Sequence, residues 1–362
     1  MVAHGQPTIA ATVAYLLSPA GRNIPGQSVG VDGHVETLRA ERKRRANMSK
    51  VAIIGSGFVG RAWAISYARA GHEVALWDGD PAAPAKALGF IDAVLPDLVA
   101  NDLVGGASAA ELRARMKPVA DLGEALSGAT HVQENTPEDV AVKREIFARL
   151  DALAAPETVL ASSTSAILPS AFTETLPGRA RCLVVHPINP PYLIPAAEVV
   201  PAPWTDPAVV ERAAAFLRAA GHAPIVMKRE IDGFVMNRLQ GALLEEAFRL
   251  VADGYAGIED VDIGIRDGLA LRWSFMGPFE TIDLNAPGGV RDYAERYQKI
   301  YSGIFPSTQR RVDWSGEVMA TVEAERRKRT PADKLVERQA WRDRRLMALA
   351  AHKRRADKDI GN

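Results

Sequence analysis

KVAIIGSGFVGRAWAISYARAGHEVALWD, residues 50–78, decides the fold. KVAIIG (50–55) is a short, β-branched apolar run after a polar start, as expected of a strand buried on both faces of a parallel sheet. It runs into GSGFVG, which places Gly55, Gly57 and Gly60 in G-x-G-x-x-G spacing, and then into RAWAISYARAGH, whose apolar residues recur with helical period. Each glycine has a separate task. Gly55 permits the tight turn, Gly57 lets a pyrophosphate approach the backbone, and Gly60 lets helix and strand pack closely. The helix start then offers unpaired N–H groups and a partial positive charge to phosphates. EVALWD reads as a second strand ending in Asp78, 23 residues past Gly55. A carboxylate there accepts hydrogen bonds from ribose hydroxyls and repels a 2′-phosphate, so the expected cofactor is NAD rather than NADP.

Working outward, HVQE (131–134), TVLASS (158–163), CLVVH (182–186) and AEVV (197–200) read as further strands. Helical stretches such as DVAVKREIFARLDALA separate them, which predicts an α/β fold with a Rossmann-type doubly wound sheet over residues 48–232. After GHAPIVMKREIDG the period changes. FVMNRLQGALLEEAFRLVADG repeats apolar residues at three and four, and the chain stays helix-rich, so residues 233–362 are expected to form an all-α C-terminal domain.

Residues 1–47 read differently. TIAATVAYLL has helical spacing, SPAGRN turns, and IPGQSVGVDGH suits one short strand, which together cannot bury a core. The stretch resembles the carboxyl-terminal tail of short-chain dehydrogenases without any of their catalytic parts. It is expected to be extraneous to the enzyme, as a fusion relic, a mis-assigned start ahead of Met48, or an ordinary disordered extension.

The 362 residues carry 44 Lys plus Arg against 44 Asp plus Glu, a formal net charge of zero, so no global field draws the chain to nucleic acid or a membrane. The basic stretch between residues 325 and 358 interleaves acids and apolar residues and reads as a solvated helical face. No apolar run approaches the roughly 20 residues that span a bilayer, and the first residues lack the pattern of a secretory leader. A lone cysteine, Cys182, and no Cys/His cluster fit a reducing cytoplasm and argue against a metal site.

In a doubly wound sheet the chemistry sits at the carboxyl ends of the strands. Ser162, Ser163, Thr164 and Ser165 follow one strand there, and His186 ends another in HPINPPYLIP. Glu198 lies twelve residues past His186, across a proline-stiffened loop able to fold it back. Oxidising a secondary alcohol needs a base for the hydroxyl proton, and histidine titrates near neutrality. A carboxylate on its far nitrogen would fix the tautomer and stabilise the imidazolium. A histidine merely satisfied at a strand end is the bland alternative.

GSGFVG, QENTPED, SSTSA, HPINPP, Glu198 and DGFVMNRL together resemble the 3-hydroxyacyl-CoA dehydrogenase superfamily, in order and spacing, across nearly all of residues 48–362. HPINPPYLIP, GFVMNRLQ, LALRWSFMGPFET and QAWRDRRLM resemble its λ-crystallin/L-gulonate 3-dehydrogenase branch. The resemblance implies His186 as general base and acid, Glu198 as its partner, Ser165 and Asn237 as substrate-orienting groups, and Asn189 as a further active-site position. For NAD it implies Phe58 and Val59 in the glycine turn, Asp78 at the ribose, and Glu138 and Lys143 after the QENTPED strand. On bare sequence, Glu138 and Lys143 would read as a solvated helix face. The resemblance also implies a homodimer formed through the helical domain.

The superfamily divides over whether its 3-hydroxy acid is carried on coenzyme A. CoA phosphates call for cations. ALGFIDAVLPDLVANDLVGGASAAEL, where CoA-using members supply lysine, has no lysine or arginine. Arg272, in LALRWSFMGPF, is a candidate to clamp a free carboxylate bidentately, or else an ordinary salt-bridge partner. The expected substrate is therefore a free 3-hydroxy acid of the L-gulonate type, oxidised to the 3-keto acid. A 3-hydroxybutyryl-CoA or carnitine dehydrogenase is the alternative within the enzyme class. A crystallin-like NAD-binding structural protein is the alternative outside it, against which stand intact Ser165, His186, Glu198 and Asn237.

Overall fold

The computed structural model describes residues 49–361, so the stretch read in residues 1–47 lies outside the described residues. Strand β1 (Lys50–Ile54) lies at the centre of an eight-stranded sheet. The others are β2 (Glu73–Trp77), β3 (Met116–Pro118), β4 (Ala129–Glu134), β5 (Val159–Ser162), β6 (Cys182–Pro187), β7 (Ala196–Pro201) and β8 (Ala223–Val226). Their order is β3-β2-β1-β4-β5-β6-β7-β8. Every pairing is parallel except β6–β7. The chain winds outward in both directions from β1, so a crevice opens where β1 and β4 part company, the place where such sheets bind ligands.

The side chains of β1 alternate between two cores. Val51 and Ile53 join one apolar cluster and Ala52 and Ile54 the other, all four fully buried. A strand covered on both faces needs helices on both, and the sequence supplies them. Helix α1 (Phe58–Arg69) and α2 (Ala83–Ala100) carry the first cluster through Trp63, Ile65 and Ile91. Helix α3 (Val140–Leu153) carries the second through Ile146, Phe147 and Leu150. Asp139 starts α3 by accepting hydrogen bonds from the N–H groups of Ala141 and Val142. Asp206 does the same for Ala208 at the start of α4 (Pro207–Ala219).

From Met236 onward the described chain is helical: α5 (Met236–Ala252), α6 (Gly289–Thr308), α7 (Glu317–Arg329) and α8 (Leu335–Asp359), with shorter turns between. Helix α8 returns to the sheet half. Met347 is buried in the first core cluster, Arg344 pairs with Asp97 at 2.9 Å, and Arg354 donates to the carbonyls of Asn101 and Asp102. Part of the basic stretch is therefore a docking surface rather than a purely solvated face. Among the described residues no helix is long and apolar enough to cross a membrane.

Candidate active site

The glycine turn fits a dinucleotide by its shape. Gly55 has φ +86°, and a Cβ on it would lie 2.8 Å from the Asn135 carbonyl. A Cβ on Gly60 would lie 1.9 Å from the Gly55 oxygen, so this residue sets how closely α1 approaches β1. Gly57 has nothing within 4 Å of the same position, which leaves open space beside the backbone where a pyrophosphate would approach. No side chain caps α1 and no acidic residue stands in its first turn, so its leading N–H groups remain for an anion. Phe58 is exposed and Val59 half-buried at this mouth. Asp78 closes the second strand and is held by Ser56, whose N–H donates to Oδ2 at 2.7 Å, and by the Asp80 N–H on Oδ1 at 3.0 Å. The Ser56 hydroxyl also donates to Oδ2, at 3.2 Å, so about one of the carboxylate's four acceptor sites, on Oδ1, stays open for a ribose hydroxyl.

His186 and Glu198 stand opposite each other in the antiparallel register of β6 and β7. The His186 Nδ1 and a Glu198 carboxylate oxygen are 2.6 Å apart, with the glutamate side chain fully buried. Nδ1–H given to that carboxylate leaves Nε2 as the acceptor for a substrate proton. The other Glu198 oxygen accepts the N–H groups of Val235 and Met236, at 2.6 and 2.8 Å, where α5 begins.

The SSTSA loop is built around Glu138. Its Oε1 accepts from the Thr164 hydroxyl, from Ser165 N–H at 2.9 Å and from Ala166 N–H at 3.0 Å. Burial opposes the charge, but the Thr164 and Ala166 hydrogen bonds, the nearby Lys143 and the Ser165 N–H outweigh it and hold the Glu138 carboxyl below its ordinary range. Asn237, in the first turn of α5, donates to the Ser165 carbonyl at 2.7 Å. Glu138, Ser165 and Asn237 thus form one hydrogen-bonded chain, and α5 joins it to Glu198.

Lys143 does not lie on the solvated helix face that its sequence alone suggests. It is 1% exposed, and its ammonium donates to both oxygens of buried Glu134 and to the Thr136 carbonyl. An ammonium has three donors, and all three are used inside the turn. Lys143 therefore shapes the 134–138 turn. Asn189 is exposed on the loop between β6 and β7 and joins none of these hydrogen bonds. Arg272 is half-buried in the helical half, donates to Asn285 at 3.3 Å, and likewise stands apart from the cluster.

A buried network behind the site escaped sequence reasoning. Trp63 Nε1 and Gln133 Nε2 donate to the Ser163 hydroxyl at 3.0 and 2.7 Å, and that hydroxyl donates to Asn135 Oδ1 at 2.7 Å. It fixes the Asn135 side chain beside the glycine turn. The available signal was Gln133 and Glu134 closing a short strand inside an α/β pattern, where buried polar groups need partners.

A doubly wound sheet with a dinucleotide turn and a carboxylate-paired histidine at the strand ends defines a nicotinamide-dependent dehydrogenase. Comparison with known proteins agrees. Residues 50–231 match the model of the 3-hydroxyacyl-CoA dehydrogenase NAD binding domain, and residues 233–336 that of the 3-hydroxyacyl-CoA dehydrogenase C-terminal domain. Rabbit (Oryctolagus cuniculus) lambda-crystallin is 41% identical over 307 residues, covering 84% of this chain and 96% of the relative. An L-carnitine dehydrogenase of Streptomyces coelicolor is 38% identical over 252 residues, covering 69% and 78%. Among solved structures, 5-formyl-3-hydroxy-2-methylpyridine 4-carboxylic acid 5-dehydrogenase superposes with TM-score 0.72 at 28% identity, covering 85% of this chain and 98% of that one. The chain belongs to the 3-hydroxyacyl-CoA dehydrogenase family and is an NAD-dependent dehydrogenase.

Proposed function

We propose that the protein oxidises a free 3-hydroxy acid of the L-gulonate type to the 3-keto acid. The observation that carries this reading is a recess of about 650 Å³ that begins at Asn237 and follows α5. Arg238, Glu245, Glu246, Arg249, Gln309 and Arg311 line it. A fatty acyl chain calls for apolar walls, whereas charged and amide groups suit a short hydroxylated acid. The arm formed by α2 points the same way. It lacks cations between its flanking Lys86 and Arg113, and those two pair with Asp80 and Asp92.

In this reading His186 Nε2 accepts the proton of the substrate hydroxyl, while Glu198 holds Nδ1–H and stabilises the imidazolium. Ser165 and Asn237 orient the substrate oxygens, as the chain from Glu138 fixes both. Bound NAD supplies the acceptor for the carbinol hydride. Arg249 is engaged by Glu245, Glu246 and the Arg310 carbonyl. Arg238 and Arg311 are therefore the recess candidates for the carboxylate, with Arg272 a further candidate along the chain. The protein is read as a homodimer joined through its helical half, where Phe275, Phe279 and Leu284 are 73%, 79% and 69% exposed. A lone buried thiol, Cys182, fits a cytoplasmic setting.

The test is NADH formation with L-gulonate, L-carnitine and 3-hydroxybutyryl-CoA side by side. Turnover of L-gulonate well above the CoA ester is expected. Turnover of the CoA ester alone would overturn the free-acid reading, and preference for L-carnitine would move it to a quaternary ammonium substrate.

A further inference from the structure

The segment that leads into α5 adopts an unfavourable backbone at a point the reaction uses. Gly233 and Phe234 both have positive φ, +76° and +50°. Glycine enters that region freely, but an aromatic side chain there costs about 1–2 kcal/mol. Phe234 is nonetheless fully buried, and its N–H donates to the Ile231 carbonyl at 3.0 Å. The left-handed turn presents the next two N–H groups, those of Val235 and Met236, to Glu198 Oε1. Its Oε2 faces His186 Nδ1. The Phe234 ring lies 5.6 Å from the imidazole, tilted by 55°.

We infer that Phe234 is a positioning residue for the dehydrogenase reaction, acting through Glu198 and His186. Its backbone locks one carboxylate oxygen onto two N–H donors, so the carboxylate cannot rotate and its second oxygen stays on Nδ1. Its buried ring, against the imidazole, keeps water from competing for that hydrogen bond. A residue serving only the apolar cluster in which Phe234 packs would gain nothing from a left-handed backbone. The inference rests on the dehydrogenase chemistry and is independent of which hydroxy acid is the substrate.

The test is proton–nitrogen NMR of the full chain labelled with ¹⁵N-histidine. A strongly downfield Nδ1–H signal is expected in the wild-type protein and is assigned to His186 by its disappearance in His186→Asn. Phe234→Leu, which keeps an apolar cover, should retain the signal. Phe234→Gly keeps the left-handed backbone but removes the ring, and should broaden the signal or speed its solvent exchange by about tenfold or more. Should Phe234→Gly fail to fold, Phe234→Asn replaces it, because asparagine tolerates positive φ. Wild-type exchange in a folded Phe234→Gly or Phe234→Asn protein would overturn the inference. So would the absence of the signal from the wild type, or its loss in Phe234→Leu.

Discussion

The two halves of the described chain meet solvent in opposite ways. In the sheet half β1, β4, β5 and β6 are almost wholly buried, and even polar Gln133, Glu134 and Lys143 are inside with partners. In the helical half α6 and α7 contain no buried residue, and large apolar side chains lie open along its helices. The sheet half therefore closes its own core, and the helical half leaves apolar area for something else to cover. The glycine turn and the His186–Glu198 pair sit in the closed part, while the recess along α5 opens in the uncovered part. On the proposed reading, such an arrangement would separate a constant reaction from an adjustable substrate.

The comparison breaks first at the glycine turn. Gly60→Ala puts a methyl group where only 1.9 Å separates it from the Gly55 oxygen. We expect NAD binding to weaken by about 100-fold or more, read by a fluorescence titration with NADH. Binding within about threefold of wild type would show that the turn yields and that the sheet half is not tightly closed.

Acid tests the same half next. Burial lowers His131 to about 4, with a Gln133 hydrogen bond opposing and the His72 charge adding to it. Burial likewise lowers His222 to about 4, against the hydrogen bond its ring donates to the Pro195 carbonyl, with the Arg69 charge adding to the lowering. Both folded values lie below the ordinary histidine value, so the fold favours the neutral rings. The stability they carry is intact above about pH 6.5 and is lost as pH falls from there toward 4. Unfolding free energies from urea titrations should drop by about 3 kcal/mol per histidine across that window. His131→Asn should flatten the drop, and an unchanged slope would remove His131 from the account.

The smallest effect is expected on the helical half. Replacing Phe279 and Leu284 together with serine should shift light-scattering mass from dimer toward monomer, with a stability change in the monomer within about 0.5 kcal/mol, as for surface positions. A wild-type protein that is already monomeric would sharpen the contrast differently, by leaving these side chains bare.

Legibility followed the same division. KVAIIG, EVALWD, HVQE, TVLASS, CLVVH and AEVV all correspond to observed strands. Most do so because buried strands advertise themselves as short apolar runs, and HVQE by its place in the alternating α/β pattern. The edge strands β3 and β8 went unread. MKP is three residues with a lysine and a proline, and APIV is only half-buried, so neither carries a strong pattern. The pairing of His186 with Glu198 was readable from residue type and motif. Lys143 was not: its partner Glu134 lies nine residues earlier, across a turn whose shape no local pattern encodes. The Trp63–Ser163–Asn135 bonds join segments up to 100 residues apart, and only the folded sheet brings them together.

The single antiparallel pairing has a consequence for how such enzymes change. His186 and Glu198 face each other across adjacent strands, so the sheet, and not the intervening loop, sets their separation. The loop between them is anchored as well: Pro190, Pro191, Tyr192 and Leu193 are buried, the last two in the first core cluster, while its first two residues, Ile188 and Asn189, stand exposed beside the proton-transfer pair. Diverging copies of such a gene could vary those two residues without relearning the chemistry, whereas a graft of the whole loop would have to replace the core contacts of Tyr192 and Leu193.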